Sequence, residues 1–157
     1  MSIDSGLYER TYRPGPAPLT GDLLFSSDSH VMEPPDTVIT RVPKAFHGQA
    51  PRFPELKLGS GFQTHPGGSD PHERIKEMAA DNVSAEVLYP TNALSLFAQE
   101  DIKLHEACVR AYNDWLIEYC NVALDRLIGI AMISTFNMDN AVKELDRCAK
   151  AGLRGAV

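Results

Sequence analysis

Apolar positions alternate along this chain between short runs and stripes of helical spacing. Leu23-Leu24-Phe25 is the first run, and residues 22–27 read as a strand that ends at Asp28-Ser29-His30. From 34 to 69 no period is sustained, and six prolines and five glycines mark one long loop. A loop of that length behind a strand is expected to act as a lid or to shape a pocket. The pattern then becomes helical. Asp70 is a candidate N-cap, Pro71 suits the first turn and Glu73 completes a capping box. Ile75, Met78 and Ala79 supply the apolar stripe, and Asn82 suits the left-handed residue of a C-cap. Residues 85–89 read as a second strand stopped by Pro90. A second helix is expected over 101–122, with Leu104, Cys108, Ala111, Trp115 and Tyr119 at helical spacing. Residues 127–133 are apolar on both faces, as a buried parallel strand is. A third helix over 137–151 turns Ala141, Val142, Leu145 and Cys148 inward, with Gly152 just past its end, and 154–157 opens a fourth strand.

Strands alternating with helices imply an α/β fold with a parallel sheet and right-handed crossovers. Four such units are about half of a (β/α)8 barrel, the TIM barrel, which needs eight. A small doubly wound domain uses the same alternation and differs in strand order. The expected organisation is an N-terminal arm over 1–21 and a half-barrel over 22–157, with the long loop 34–69 inside it.

Composition narrows the partners. The 157 residues carry a net charge of −6, against nucleic acid or an anionic membrane as the main partner. No run is long enough to span a membrane, and the polar, Pro/Gly-rich N-terminus lacks the apolar core of a signal peptide. Cys108, Cys120 and Cys148 have no metal-motif spacing and are odd in number, so reduced buried thiols and a cytoplasmic location are expected. Phosphate-loop, Gly-x-Ser-x-Gly, Cys-x-x-Cys and His-Glu-x-x-His motifs are missing from the sequence.

The chemistry concentrates at strand ends. Asp28 and His30 are two residues apart, so a strand presents both on one face, where a carboxylate and an imidazole suit a divalent ion. The ordinary alternative has Asp28 capping the turn and His30 bonding the backbone. Glu33 is a candidate to orient His30 from behind; a solvated loop carboxylate is its more usual reading. Tyr89, Thr91 and Ser134 close the second and third strands and are candidates to touch a substrate. So is His65, in the long loop, which like His47 is also a candidate acid or base. His72 reads as part of the helix cap and His105 as surface or packing. Arg110, Asn113 and Asp114 read as packing and surface contacts of the second helix.

Five segments carry a family resemblance: SDSHVMEP at 27–34, GGSDPHERIKEMAADNVSAEVLYPT at 67–91, ACVRAYNDWLIEYC at 107–120, RLIGIAMIS at 126–134 and AGLRGAV at 151–157. In order and spacing the chain resembles the N-terminal half of the amidohydrolase-related metal-dependent enzymes, in the branch with aminocarboxymuconate-semialdehyde and resorcylate decarboxylases. The resemblance implies a (β/α)8 barrel with one divalent metal, Zn or Mn, at the carboxyl ends of the strands. Most members open with His-x-His; Asp28-Ser29-His30 is similar to the carboxylate-x-His variant, which makes Asp28 and His30 the first-strand ligands. A histidine of a middle strand and an aspartate of the last strand complete the family's site, and these 157 residues do not reach them. The expected function is therefore hydrolysis or decarboxylation of a small organic acid or amide, with the metal weakly bound or absent in this piece. The alternative is a non-catalytic half-barrel that forms a homo-oligomer or pairs with a separate C-terminal half.

Overall fold

The computed structural model describes residues 23–55 and 65–157. The expected arm over 1–21 lies outside the described residues, as does part of the long loop. Four parallel strands form one sheet in the order β1 (Phe25–His30), β2 (Ala85–Tyr89), β3 (Leu127–Ala131) and β4 (Gly155–Ala156). Each pairs only with its neighbours in the chain. That sequential order is the barrel's, and it contains no reversal of the kind a doubly wound sheet uses as its binding crevice. Three helices connect the strands: α1 (Pro71–Ala80), α2 (Ile102–Cys120) and α3 (Met138–Lys150).

Local chemistry sets the element ends. The Asp70 side chain accepts the amides of His72 and Glu73, and Pro71 occupies the first turn of α1. Asn82 takes φ 59° behind α1, and Gly152 takes φ 105° behind α3, both in the left-handed region. Asp101 and Asn137 cap α2 and α3 in the same way as Asp70 caps α1. β1 starts three residues later than expected, so Asp28 and His30 lie within the strand. The register moves from Ser26 opposite Glu86 to Ser29 opposite Leu88, which leaves one extra residue on β1 and makes a bulge at Ser27–Asp28, so that the first member of the polar pair lies in it.

β3 ends two residues short of the expected 133 because the backbone of Met132 is bonded elsewhere. Its amide donates to Asn113 Oδ1 and its carbonyl accepts from Asn113 Nδ2, both at 2.9 Å. Asn113 is thus a buried bracket between α2 and β3, not a surface contact. Cys108, Ala111, Tyr112, Trp115, Leu116 and Tyr119 form the apolar face of α2 and pack into the main core with Leu88, Leu127 and Met132.

The long loop is partly built into this core. Residues 36–42 make turns with Thr40 N–H on the Asp36 carbonyl and Val42 N–H on that of Val38. They bury Val38 and Val42, and Phe53 joins them. His47 Nε2 lies 3.1 Å from the Val42 carbonyl oxygen. Between β2 and α2, where no element was expected, residues Asn92–Ala98 form 3₁₀ turns.

On α3 the sequence reading needs correction. Ala141 and Cys148 are buried, but Val142 is 62% and Leu145 45% exposed, in line with the exposed Met138. Positions 138, 142 and 145 share a stripe beside the 141/148 stripe, and only the latter reaches the core. No described element covers the former.

Glu144 ties α3 to α2. It accepts from Arg147, from Asn113 Nδ2 at 2.9 Å and from Arg110 at 3.1 Å. Burial pushes its pKa up, but the hydrogen bonds from Arg147 and Asn113 and the two guanidinium charges outweigh this and hold it below the usual value. A depressed pKa gives stability that is present above about 4.5 and is lost as the pH falls through the folded-state value. Glu144→Gln is expected to cost about 1–2 kcal/mol at neutral pH. That gap to the parent narrows at an acidic pH below the ordinary carboxyl value of 4.5, as Glu144 takes up its proton. Urea unfolding at the two pH values checks it, and a gap that stays constant contradicts it.

Candidate metal centre

The carboxyl ends of β1 and β2 bring together five of the polar side chains singled out from the sequence. Asp28 Oδ1 lies 3.7 Å from His30 Nε2, with the side chains 87% and 47% exposed. His30 Nδ1 sits 2.9 Å from the carbonyl oxygen of Pro90 and 3.3 Å from Thr91 Oγ1. A carbonyl only accepts, so Nδ1 carries the proton and donates it there. In the neutral ring this leaves the Nε2 lone pair directed to the Asp28 side. A ligating histidine is normally prepared this way, its second nitrogen fixed by an outer acceptor. The ring of Tyr89 lies at 5.9 Å from the imidazole, centroid to centroid.

Arg74 and Glu33 hold this arrangement from behind. Arg74 Nη1 donates to the His30 carbonyl at 3.1 Å while its Nε is paired with Glu86 of β2 at 2.5 Å. Glu33 is not a solvated loop carboxylate: it is 1% exposed. Its two oxygens accept the amides of Thr91 at 3.1 Å and Asn92 at 2.8 Å, and Asn92 Nδ2 returns a bond to the Glu33 carbonyl. It does not touch the imidazole. It clamps the turn whose Pro90 carbonyl and Thr91 hydroxyl do. Burial pushes its pKa up, against the opposing pull of the amides that it accepts.

The remaining candidates divide between two cavities. His65 is exposed and lines a cavity of about 430 Å³ with Met32, Glu33, Pro54 and Asn92. Ser134 lines a different cavity, between α2 and α3. His72 and His105 are structural: the first donates its amide to the cap of α1, and the second is buried with Nδ1 2.9 Å from the Leu96 carbonyl. Cys108, Cys120 and Cys148 are free and buried, and burial raises their thiols to about 11, 12 and 12. No described helix is long and apolar enough to cross a membrane.

Sequence reasoning missed three supports of this site. Arg74 and Asn92 gave no signal, because their partners, His30 and Glu86 for the first and Glu33 for the second, are far away in the chain. Gly67-Gly68 did give one, as a glycine pair beside the helix cap. A Cβ at Gly68 would meet Met32 Cβ at 2.8 Å, and one at Gly67 the Arg74 Cα at 2.7 Å. The pair therefore lets the loop approach the segment after His30, where the Met32 amide bonds the Gly68 carbonyl at 2.7 Å.

The donor set fits part of a metal site. Two donors bound to one ion at about 2.1 Å and a tetrahedral angle lie ~3.4 Å apart, close to the observed 3.7 Å. Among the described residues, no group of three or more His, Cys, Asp and Glu converges on one point.

Comparison with known proteins gives the wider frame. No family model and no curated protein matches the sequence. Solved structures do match. An amidohydrolase from Mycobacterium avium subsp. paratuberculosis K-10 superimposes with a TM-score of 0.68 at 18% identity, over 83% of this chain and 48% of its own. The 2,6-dihydroxybenzoate decarboxylase from Rhizobium gives 0.56 at 22% identity, over 86% of this chain and 38% of its own. A dihydroxybenzoic acid decarboxylase from Polaromonas sp. JS666, with bound manganese and the inhibitor 2-nitroresorcinol, gives 0.58 at 20% identity over 86% and 37%. The fold is that of part of a (β/α)8 barrel, as in these neighbours. The chain spans less than half the length of these neighbours. In such a barrel, sites lie at the carboxyl ends of the strands, which is where Asp28, His30, Tyr89 and Thr91 stand.

Proposed function

We propose that this chain carries the first-strand part of a divalent metal centre. The whole is a metal-dependent amidohydrolase-like hydrolase or decarboxylase acting on a small organic acid or amide. The observation behind this is the convergence of Asp28 Oδ1 and His30 Nε2 while His30 Nδ1 is committed to Pro90. Asp28 and His30 hold Mn²⁺ or Zn²⁺ in this reading; manganese is present in the Polaromonas neighbour. A metal bound there supplies Lewis-acid polarisation of a carbonyl or carboxylate, or a water of lowered pKa. The protein's own share is orientation. Glu33 is a positioning residue that keeps the Thr91 turn, and through it the imidazole, in place. Tyr89, Thr91 and His65 are the side chains we assign to the substrate. A small aromatic acid is a suitable probe, because a neighbouring 2,6-dihydroxybenzoate decarboxylase structure is complexed with 2,6-dihydroxybenzoate. Two donors are fewer than a closed site provides, so the ion is weakly held by this chain alone.

Titration of the full chain with Mn²⁺ and Zn²⁺ tests the reading. At ten times Kd, stabilisation by about 1.4 kcal/mol is expected. It should be abolished in Asp28→Ala/His30→Ala and weakened in Glu33→Gln. Failure of either metal to bind, or equal binding by the double variant, sinks the proposal. Release of carbon dioxide from 2,6-dihydroxybenzoate by the metal-loaded chain separates decarboxylation from hydrolysis.

A second reading concerns assembly. Leu23, Leu24 and Phe25 are each about half exposed at one side of the sheet, and Met138, Val142 and Leu145 form an exposed stripe at the other. Apolar surface on both flanks, with sheet edges unpaired among the described residues, favours pairing with a second half-barrel or a second copy. Buried reduced thiols support a cytoplasmic setting.

A further inference from the structure

The metal pair is short of donors and the sheet is short of neighbours, and one arrangement supplies both. Among the described residues, β1 and β4 each take a strand on one side only. The two outer edges come from different strands, and all four strands run parallel. A second copy can therefore set its β1 against the β4 edge and its β4 against the β1 edge, both in the parallel sense. A twofold axis makes the two joints at once and leaves no edge. Eight is also the strand number at which a β/α barrel closes. Apolar surface lies where the joints fall. On α3, Asn140, Glu144 and Arg147 reach α2, and Ala141 and Cys148 are buried in the core. At about 100° per residue, Met138 and Val142 then point away from α2, to the β4 flank. Leu23, Leu24 and Phe25 are half exposed on the β1 flank. Three such side chains from each copy offer roughly 600 Å² per joint and roughly 1,200 Å² over both, the size of a stable interface.

The same symmetry bears on the metal centre. In a ring of eight strands the two copies of β1 stand four places apart, on opposite sides of one mouth. A barrel of this size is only wide enough for its side chains to fill, so groups from opposite strands meet. Asp28 and His30 are both accessible, and with Nδ1 committed to Pro90 each His30 keeps Nε2 for an ion. Two donors from each copy make four, the number that a closed site provides. We propose that two copies of this chain close into one barrel and share a single divalent ion between their two Asp28–His30 pairs. This rests on the metal reading above, since an ion that Asp28 and His30 do not bind cannot be shared.

Sedimentation equilibrium and calorimetry on the full chain, with and without Mn²⁺ or Zn²⁺, test it. The expected mass is twice that of the 17.3 kDa chain, with one ion bound per two chains. The ion is expected to tighten dimerisation about tenfold or more, because it binds the dimer in preference. Asp28→Ala/His30→Ala is expected to dimerise without that tightening. Val142→Lys changes a side chain that is 62% exposed and lies outside the metal pair. It sets a charge in an apolar joint, so dimerisation and ion binding are each expected to weaken about tenfold or more. Leu24→Glu is expected to do the same from the other flank. Circular dichroism checks each fold; should one flank variant not fold, the other decides. A monomer or a dimer that binds one ion per chain overturns the shared site and leaves Asp28 and His30 standing as ligands. Undiminished dimerisation and ion binding in the flank variants overturn the joint. If neither ion binds, the metal reading falls and the shared site falls with it.

Discussion

Asn113→Asp is expected to destabilise the fold by about 3–5 kcal/mol at neutral pH. Asn113 is fully buried and spends its amide on Met132, donating to the carbonyl and accepting the N–H, with a further bond to Glu144 Oε1 at 2.9 Å. An aspartate keeps the acceptor side. On the donor side it sets a carboxylate against a carbonyl oxygen and a second carboxylate. Asn113→Ala removes the repulsion but leaves both Met132 groups bare, at a cost of about 2–4 kcal/mol. Urea unfolding ranks the two. The Asp variant should recover part of its loss on acidification, since a protonated carboxyl donates again; the Ala variant should not. Destabilisation of Asn113→Asp below about 0.5 kcal/mol would show that the bracket does not hold α2 to β3.

The second large effect belongs to Arg74. Its ion pair with Glu86 is largely shielded from water, with side chains 13% and 11% exposed. Removing one partner of such a pair costs about 3–5 kcal/mol, because the other charge stays buried. Arg74→Met is expected to show that cost and to release the His30 carbonyl as well. Arg74→Met/Glu86→Leu is expected to return to within about 1 kcal/mol of the parent, because packing replaces the pair. The four unfolding curves form a double-mutant cycle. Additive losses would mean that the two side chains act independently.

These two residues also show what the amino-acid order discloses and what it conceals. Helix starts and stops were legible because capping is local: Asp70, Asn82 and Gly152 act on backbone within a few residues of themselves. The β/α alternation was legible because period is a property of short windows. Asn113, Arg74 and Glu33 were not, since each finds its partners 12 to 59 residues away. Glu33 looks like any loop carboxylate until the β2 turn closes over it. Val142 and Leu145 failed for another reason. Periodicity tells that a helix has an apolar side, and it is silent on which neighbour covers that side. The metal pair stood between these cases. Its shared face follows from strand geometry, but the commitment of His30 Nδ1 to Pro90 depends on a strand sixty residues on.

The sequential strand order bears on how the chain is made. Among the described residues every strand pairs with the next strand along the chain, although β1 meets β2 only across 60 residues, Phe25 standing opposite Ala85. Loop-closure cost grows only slowly with length, so these crossovers are tolerated, but parallel pairing across them is slow to form. On a ribosome, β1 can be captured as soon as β2 emerges, and each crossover can settle on the growing sheet in turn. Synthesis from the N-terminus and assembly from β1 outwards then run in the same direction.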